Sequence, residues 1–237
     1  MKILVTGSQG FIGKYVVKEL NKTGWFEVFG FDIRGGYDIN NARRVEEECE
    51  DVGGIVHLAA VSRASLCEDK PAIAIQANVL GTINVLDGMR QDDDPPWMIL
   101  ASTALATSTG KRVYEFSKRA AEEVCDIYRE KYGLKVYVLR IPEVYGEGAY
   151  LNSIIPILTR KAASNQEIVL CNPEQKFDFI PVFEVAKVIK EMCMGLETGG
   201  IAYKDVNTLS GGGEITLREL AKKIVKECES KSVIREV

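Results

Sequence analysis

VTGSQGFIG, residues 5–13, carries three glycines at a spacing of three: Gly7, Gly10 and Gly13. The stretch follows a short apolar run that predicts a strand and precedes an amphipathic pattern that predicts a helix. In such a strand–turn–helix, the first glycine allows a tight turn, the second lets the backbone approach a pyrophosphate, and the third lets helix and strand pack closely. Because a helix N terminus favours anionic groups, the loop predicts a dinucleotide site rather than a glycine-rich turn without a ligand.

The second predicted strand ends in VFGFDIRGG, residues 28–36, and places Asp32 nineteen residues beyond Gly13. A carboxylate at this distance can accept hydrogen bonds from the ribose hydroxyls of an adenosine and would repel a 2′-phosphate. The sequence therefore predicts NAD rather than NADP as the cofactor. Arg34 leaves the other choice open, because its guanidinium could pair with that phosphate.

Short apolar runs alternate with longer helical patterns along the chain. The candidate strands are Lys2–Thr6, Glu27–Asp32, Gly54–Ala59, Trp97–Ser102, Lys135–Arg140, Ile168–Cys171 and Ala202–Asn207. The candidate helices are Phe11–Asn21, Ala42–Cys49, Pro71–Arg90, Val113–Tyr132, Ile154–Ala163, Phe183–Gly195 and Leu217–Cys228. This alternation predicts an α/β protein with a doubly wound parallel sheet, the Rossmann fold. We expect residues 1–145 to form an NAD-binding Rossmann domain, and residues 146–237 to form mostly a small C-terminal substrate-binding subdomain with segments that return to the sheet.

The composition excludes several classes of partner. A net charge of −4 and a pI near 5.3 give no reason to expect nucleic acid or an anionic membrane. No apolar run approaches the roughly 20 residues that a membrane span needs. The cysteines form no Cys-x-x-Cys pair and lie far in sequence from the single histidine, His57, so no metal site is predicted. We expect reduced structural thiols in a cytoplasmic protein.

The Gly-x-x-Gly-x-x-Gly spacing resembles the short-chain dehydrogenase/reductase superfamily, and TGSQGFIG looks like its extended branch, the NAD-dependent epimerase/dehydratase family. That resemblance implies a Tyr-x-x-x-Lys motif, and YEFSK supplies it at Tyr114 and Lys118. Four residues apart on a helix, the two side chains share one face. The ammonium favours the phenolate of a tyrosine, whose ordinary pKa is about 10, and so prepares it for acid–base work near neutral pH.

MILASTALA, residues 98–106, ends the fourth predicted strand with Ser102 and Thr103. Ligands of open α/β sheets lie at this carboxyl edge, where a hydroxyl can hold the substrate oxygen that gains or loses a proton. By resemblance, Thr103 matches the catalytic Ser or Thr of the family and Ser102 matches its neighbour. The implied catalytic set is therefore Tyr114, Lys118, Thr103 and Ser102.

Other stretches extend the resemblance over nearly the whole chain. Asp38 and Ile39 in YDIN match a pair that contacts adenine, and VHLAAVS matches the strand that passes the cofactor. LRIPEVYGEG matches the segment beside the nicotinamide. His57, within VHLAAVS, is expected to be a packed core residue. The implied cofactor-binding residues are Gly7, Gln9, Gly10, Phe11, Ile12, Gly13, Asp32, Ile33, Arg34, Asp38, Ile39, Leu58, Ala59, Ala60, Asn78, Tyr114, Lys118 and Pro142. The implied substrate-binding residues are Ser62, Thr103, Glu143, Asn152 and Lys176.

The segment between Thr103 and Tyr114 departs from the family pattern. Tyr114 follows Thr103 by 11 residues, whereas the family usually has a longer loop there that helps to wall the substrate site. Ala104 and Leu105 stand where sugar 4,6-dehydratases of the family need an Asp-Glu pair for elimination. Dehydration is therefore not expected.

The later substrate segments depart as well. In KFDFI, residues 176–180, Phe177 replaces the arginine with which the family clasps a nucleotide diphosphate, although Lys176 is adjacent. Glu143 stands where asparagine is common. These changes weaken the case for a nucleotide diphosphate, because two phosphate charges normally demand Arg or Lys partners. YLNSIIP, residues 150–156, still resembles the entry to a substrate lid.

Three functions remain open from the sequence. The first is an NAD-dependent epimerase or oxidoreductase that acts on a sugar, nucleotide-linked, by tyrosine-assisted hydride transfer. The second is an NAD-dependent dehydrogenase or reductase of a small polyol, sugar acid or hydroxy acid. The third is a non-catalytic NAD-binding scaffold, against which the intact Tyr-Lys pair counts. Because family members often dimerise through two helices, here Pro71–Arg90 and Val113–Tyr132, we also expect a homodimer.

Overall fold

A computed structural model describes residues 1–200 and 203–237. The strands in chain order are β1 (Lys2–Thr6), β2 (Glu27–Phe31), β3 (Gly54–His57), β4 (Trp97–Thr103), β5 (Val136–Ile141), β6 (Glu143–Tyr145), β7 (Ile168–Leu170), β8 (Lys176–Pro181), β9 (Val206–Thr208), β10 (Glu214–Thr216) and β11 (Ile234–Glu236). The helices are α1 (Phe11–Asn21), α2 (Ala42–Cys49), α3 (Ala64–Asp69), α4 (Pro71–Ile75), α5 (Gly81–Met89), α6 (Val113–Tyr132), α7 (Ile154–Ala163), α8 (Val182–Thr198) and α9 (Leu217–Glu227). Ala202, which begins the last predicted strand, lies outside the described residues.

The chain divides into two compact units. The first unit comprises Met1–Ile141 with Phe183–Leu209, and the second comprises Pro142–Val182 with Ser210–Val237. The strand β6 belongs to the second unit because it pairs with β8 there. The second unit therefore starts a few residues before position 146, where the sequence pattern alone placed the division.

The first unit is built on a six-stranded parallel sheet in the order β2-β1-β3-β4-β5-β9. The strands β1, β3 and β4 are apolar along almost their whole length and are buried, as expected for a sheet covered on both faces. This arrangement confirms the predicted doubly wound α/β fold. The strand order reverses between β1 and β3, and ligands of such sheets bind at the carboxyl ends beside that point.

The predicted helix Pro71–Arg90 contains an irregularity that the pattern did not show. Its middle turn, Gln76–Leu80, is a π turn between α4 and α5. A π turn widens a helix by one residue and commonly marks a functional position. Asn78 lies at the centre of this turn.

The second unit contains a three-stranded sheet, β10-β8-β6, and a two-stranded parallel pair, β11-β7. The helices α7 and α9 supply Leu158, Ala162, Leu220 and Ile224 to its core. Thr216 is the N-cap of α9 and forms a capping box, in which its side chain and that of Glu219 each bond to the other residue's backbone amide.

The glycine loop brings β1 and α1 into close contact. Gly7 has a left-handed φ of +67°, and a Cβ atom there would lie 2.8 Å from the Ala59 amide nitrogen. A Cβ at Gly13 would lie 2.1 Å from the Gly7 carbonyl oxygen. Only residues without a Cβ therefore allow the first turn of α1 to pack against this loop.

We expect Gly13→Ala to lower the free energy of unfolding by about 1–3 kcal/mol, because the added methyl group must displace backbone atoms. The loss would outweigh the gain of about 1 kcal/mol that alanine normally brings to a helix. Urea denaturation measures it, with Lys18→Ala on an exposed position of the same helix as the control. An alanine variant as stable as the wild type would contradict this packing.

Candidate active site

Asp32 joins the glycine loop to the end of β2. Its buried carboxylate accepts hydrogen bonds from the Gln9 amide and from the Arg34 amide, each at 2.9 Å. Each carboxylate oxygen keeps a further lone pair, which a ribose hydroxyl can use. The Arg34 guanidinium donates to the Gln9 carbonyl at 2.5 Å, so it is engaged with the loop backbone.

The N terminus of α1 faces the same loop. Its N-cap is Gly10, and no side chain caps the helix. Phe11, Ile12 and Gly13 form its first turn, whose backbone amides have no acceptor within the helix. These amides and the positive end of the helix dipole suit a phosphate group.

The residues predicted to border the adenine lie after β2. Ile33 is 71% exposed, an unusual position for a large apolar side chain. Asp38 is exposed, and its carboxylate accepts hydrogen bonds from the backbone and side-chain nitrogens of Asn40. Ile39 is buried in the core of the first unit, and its carbonyl accepts a hydrogen bond from Asn84.

The segment after β3 is held by the hydroxyl of Thr6. This oxygen accepts hydrogen bonds from the Leu58 and Ala59 amides, each at 3.1 Å. Ala59 and Ala60 are half-buried, and Ser62, two residues further on, is exposed. The small side chains of Ala59 and Ala60 therefore lie at the edge of the sheet where β1 and β3 end.

His57 is a buried, neutral residue, as expected. Its Nδ1 lies 2.7 Å from the Thr6 hydroxyl and its Nε2 lies 3.1 Å from the Thr82 hydroxyl. Because Thr82 donates its own proton to the Asn78 carbonyl, Nε2 must carry the ring proton. Burial lowers the pKa of His57 to about 3, and the charge of Lys118 acts in the same direction. A histidine of this kind does not serve as a base at neutral pH.

Asn78 connects the segment after β3 to α6. Its Oδ1 accepts from the Val61 amide at 2.7 Å, and its Nδ2 donates to the Val61 carbonyl and to the Ser117 hydroxyl. Ser117 in turn donates to the Tyr114 carbonyl at 2.8 Å. The polar groups of this fully buried asparagine are thus directed at the protein, where they hold the first turn of α6.

Tyr114 and Lys118 lie one turn apart near the start of α6. Tyr114 is half-buried, whereas Lys118 is only 5% exposed. Burial lowers the pKa of Lys118 to about 8, and the neighbouring Cys125 and Glu122 act in the opposite direction. At neutral pH the side chain remains an ammonium, placed in the interior on the helix face it shares with Tyr114.

Ser102 and Thr103 are both buried at the end of β4. The Thr103 hydroxyl accepts a hydrogen bond from the Leu105 amide at 3.3 Å, a bond that leaves its proton for another acceptor. The Ser102 hydroxyl instead donates to the Glu122 carboxylate at 2.5 Å, and Arg140 pairs with the same carboxylate. Glu122 and Arg140 are not among the residues predicted from the sequence, although the Lys-x-x-x-Glu spacing on α6 is a signal that points to Glu122.

Four of the predicted site residues belong to the second unit. Pro142 is half-buried, and Glu143 is exposed at the start of β6. Asn152 is exposed in the turn before α7. Lys176 on β8 lies 3.5 Å from the Glu214 carboxylate on β10, and both side chains are 62% exposed. An exposed pair of this kind contributes little to stability.

Two absences apply to residues 1–200 and 203–237. Within these ranges no three His, Cys, Asp or Glu side chains are grouped as ligands for a metal ion. None of the helices described there combines the length and the apolar character needed to cross a membrane.

The family model of the NAD dependent epimerase/dehydratase family matches residues 3–203, and the chain belongs to this family. The cofactor of the family is NAD. This membership agrees with the glycine loop, with Asp32 and with the Tyr-x-x-x-Lys spacing described above.

Several relatives are named for sugars linked to nucleotides. GDP-6-deoxy-D-talose 4-dehydrogenase of Aggregatibacter actinomycetemcomitans is 30% identical over 90% of this chain and 76% of its own length. A putative UDP-glucose 4-epimerase of Methanocaldococcus jannaschii is 28% identical over 78% of this chain and 71% of its own length. Other relatives are longer, and the chain spans 64% of one protein from Methanocaldococcus jannaschii and 56% of UDP-glucuronate 4-epimerase 1 of Arabidopsis thaliana.

Solved structures with the same fold include two UDP-glucose 4-epimerases. The Thermotoga maritima enzyme with UDP-glucose has a TM-score of 0.85 at 21% identity. The superposition covers 100% of this chain and 85% of that enzyme. The Thermus thermophilus enzyme with NAD has a TM-score of 0.82 at 22% identity, with coverages of 99% and 86%. At these identities the likeness shows the fold.

The buried Lys118 predicts a pH dependence of stability. Its pKa is about 8 in the fold and 10.5 in its ordinary state, so the unfolded chain binds more protons between these values. The free energy of unfolding of the cofactor-free protein should therefore rise by about 3 kcal/mol from pH 8 to 10.5. Below pH 8 this group should add no pH dependence, and its buried charge should lower the free energy of unfolding by a constant amount.

Urea denaturation across this range, compared with Lys118→Met, isolates the effect. The methionine variant should lack the rise and should be the more stable protein at pH 7, because it buries no charge. Parallel curves for the two proteins would show that Lys118 does not titrate as a buried amine.

Proposed function

We propose that this protein is an NAD-dependent epimerase or oxidoreductase that acts on a sugar, most favourably one linked to a nucleotide. The observation that carries the proposal is the buried ammonium of Lys118 on the face of α6 that it shares with Tyr114. A lysine is rarely buried without a task, because removing its charge from water is costly. A task in acid–base chemistry explains both the burial and the spacing.

The first unit fits a dinucleotide at the carboxyl edge of its sheet. The uncapped start of α1 suits the pyrophosphate, Asp32 suits the adenosine ribose, and the half-buried Ala59 leaves room for the cofactor to pass. NAD held there would supply a hydride acceptor for the substrate carbon and, in its reduced form, a hydride donor. The same unit carries Tyr114, Lys118 and Thr103, so the proposed cofactor and acid–base residues belong to one compact body.

In the proposed mechanism, Tyr114 removes the proton from a sugar hydroxyl as the carbon that bears it is oxidised. Lys118 stabilises the phenolate electrostatically and binds the nicotinamide ribose. Thr103 donates a hydrogen bond from its hydroxyl to the reacting oxygen and so holds that oxygen in place. For an epimerase, Tyr114 returns the same proton after the sugar has presented its other face.

The relatives support a nucleotide-linked sugar as substrate. Three of the four relatives compared above carry GDP or UDP in their names. On this chain, Asn152 and Glu143 are exposed polar residues of the second unit that can contribute hydrogen bonds to the sugar. Ser62 is the corresponding candidate in the first unit.

A second candidate, a dehydrogenase or reductase of a small polyol or sugar acid, is favoured by one specific observation. Lys176 is adjacent to Phe177, which occupies the position of the arginine that binds a diphosphate in the family. Lys176 is paired with Glu214. Phe177 beside it stacks on Phe179 with ring centroids 5.5 Å apart and offers no charge. This segment is therefore poor in positive charge for a diphosphate.

Substrate binding separates the two candidates. With NAD present, UDP-, GDP- or dTDP-sugars should raise the melting temperature, because a ligand that binds only the folded state stabilises it. Stabilisation by unlinked polyols or sugar acids alone would reject the nucleotide-linked substrate and favour the second candidate.

Replacement of Tyr114 by phenylalanine tests the chemistry. Turnover of the substrate found in this way should fall by about 10²–10⁴-fold, the usual contribution of a positioned acid–base group, while NAD binding is retained. Tyr128→Phe is the matched control, since its hydroxyl lies on the same helix but bonds to Asp87. Full activity of Tyr114→Phe would show that Tyr114 is not the acid–base group, whereas a wild type that binds NAD and turns over no sugar would favour the non-catalytic scaffold.

We also propose a cytoplasmic homodimer. The α4–α5 helix and α6 pack against each other and expose large apolar side chains, namely Ile73, Leu80, Phe116 and Ile127. Exposed apolar residues on two adjoining helices are typical of a subunit interface. The six cysteines are all free thiols, which supports a reducing compartment.

Sedimentation velocity tests the dimer. We expect Phe116→Glu to shift the protein to a monomer, because the charge would be buried in the interface. Trp25→Glu, at a site 59% exposed outside these helices, is the control and should leave the assembly unchanged. A wild type that sediments as a monomer at micromolar concentration would contradict the proposal.

A further inference from the structure

Glu122 is a buried carboxylate that no cofactor or substrate contact explains. It is 6% exposed and lies on α6, four residues after Lys118. Its Oε1 accepts from the Ser102 hydroxyl at 2.5 Å, and its Oε2 accepts from the Arg140 guanidinium, also at 2.5 Å. The Arg140 Nε completes the pairing at 3.1 and 3.2 Å from the two oxygens. A single carboxylate thus ties α6 to both β4 and β5.

The position of this carboxylate gives it two effects on the proposed chemistry. Ser102 immediately precedes Thr103, so the bond from Ser102 fixes the end of β4 against α6. Residues four apart on a helix are neighbours, so the charge of Glu122 also acts on Lys118. The titratable and charged groups that act on this pair are His57 from β3, Arg140 from β5 and Cys125 from α6, while the exposed Asp126 acts on Arg140.

We propose that Glu122 is a positioning residue, which holds Thr103 in register with Tyr114 through Ser102 and keeps Lys118 charged. Ser102, in consequence, serves as the anchor of β4 and does not contact the substrate. The inference rests on the proposed function for its catalytic part. It changes the role that the sequence pattern implied for Ser102, because the proton of that hydroxyl is already donated to Glu122.

The balance of charges supports this role. Burial alone drives Lys118 towards the neutral amine, and His57 offers no negative charge because it is neutral. Cys125 is a buried thiol whose pKa is raised to about 12, so it is neutral as well. Glu122 is therefore the nearby carboxylate that favours the ammonium of Lys118, and the hydrogen bond to this carboxylate raises the pKa of Arg140.

The first test measures Lys118 directly and needs no substrate. Lysine labelled with ¹³C at Cε reports the pKa of Lys118 by NMR, with Lys118→Met assigning the signal. Glu122→Gln should lower this pKa by about 1 unit, because an opposing charge in contact range is lost. Glu123→Gln, on the exposed side of the same helix, is the matched control and should leave it unchanged.

A second pair of variants keeps the test decisive if Glu122→Gln does not fold. Arg140→Met leaves more of the Glu122 charge to act on Lys118 and should raise its pKa. Ser102→Ala keeps the charge and should leave the pKa unchanged while it lowers kcat by about tenfold at constant KM, the effect of looser positioning.

Two results would overturn the inference. One is a Lys118 pKa that is the same in Glu122→Gln, Arg140→Met and the wild type. The other is a loss of kcat in Ser102→Ala as large as that in Tyr114→Phe, which would place Ser102 at the reacting oxygen. Full activity of Tyr114→Phe would instead contradict the proposed function. The pKa of Lys118 would still test the effect of Glu122, because that measurement does not depend on the reaction.

Discussion

The ammonium of Lys118 lies in the protein interior, and the polar packing around it follows from that burial. A buried charge is costly unless nearby groups accept its hydrogen bonds or carry the opposite charge. Glu122 supplies the opposite charge from the next turn of α6, while His57 stays neutral and adds no second positive charge. Asn78 and Ser117 then hold the first turn of the helix by hydrogen bonds to its backbone and to the segment after β3. The buried ammonium of Lys118 is thus both a local cost in stability and the centre of the proposed acid–base site.

The cofactor end of the first unit depends on a different constraint, the close contact between β1 and α1. Gly7 and Gly13 permit that contact, and Asp32 receives the Gln9 amide that the turn presents. Asp32 therefore has a structural bond in addition to its proposed bond to ribose. Loss of its carboxylate would disturb the loop as well as the cofactor, so the two roles are coupled through one side chain.

The sequence predicted the parts of the molecule that follow local rules. Strong apolar runs predicted the strands of the first unit, and the spacing of Tyr114 and Lys118 predicted their shared helix face. The short strands β6, β8, β10 and β11 were not predicted, because three to six residues with mixed polarity carry no clear period. The π turn at Asn78 depends on tertiary packing, which a linear pattern does not encode. The bond from Ser102 to Glu122 joins residues 20 positions apart, and no local pattern predicts it. The sequence groups Ser102 with Thr103 as a catalytic hydroxyl, and the bond from Ser102 to Glu122 is the basis of the different role proposed for Ser102.

The central claim is that Tyr114 and Lys118 serve hydride transfer between a sugar and NAD. The most direct measurement is a single-turnover experiment, in which the protein loaded with NAD is mixed with the sugar that binds it and the fluorescence of reduced nicotinamide is followed. The account predicts that reduced nicotinamide forms within one turnover, and that it is then consumed if the reaction is an epimerisation. A sugar that binds beside NAD without any reduced nicotinamide being formed would contradict the account.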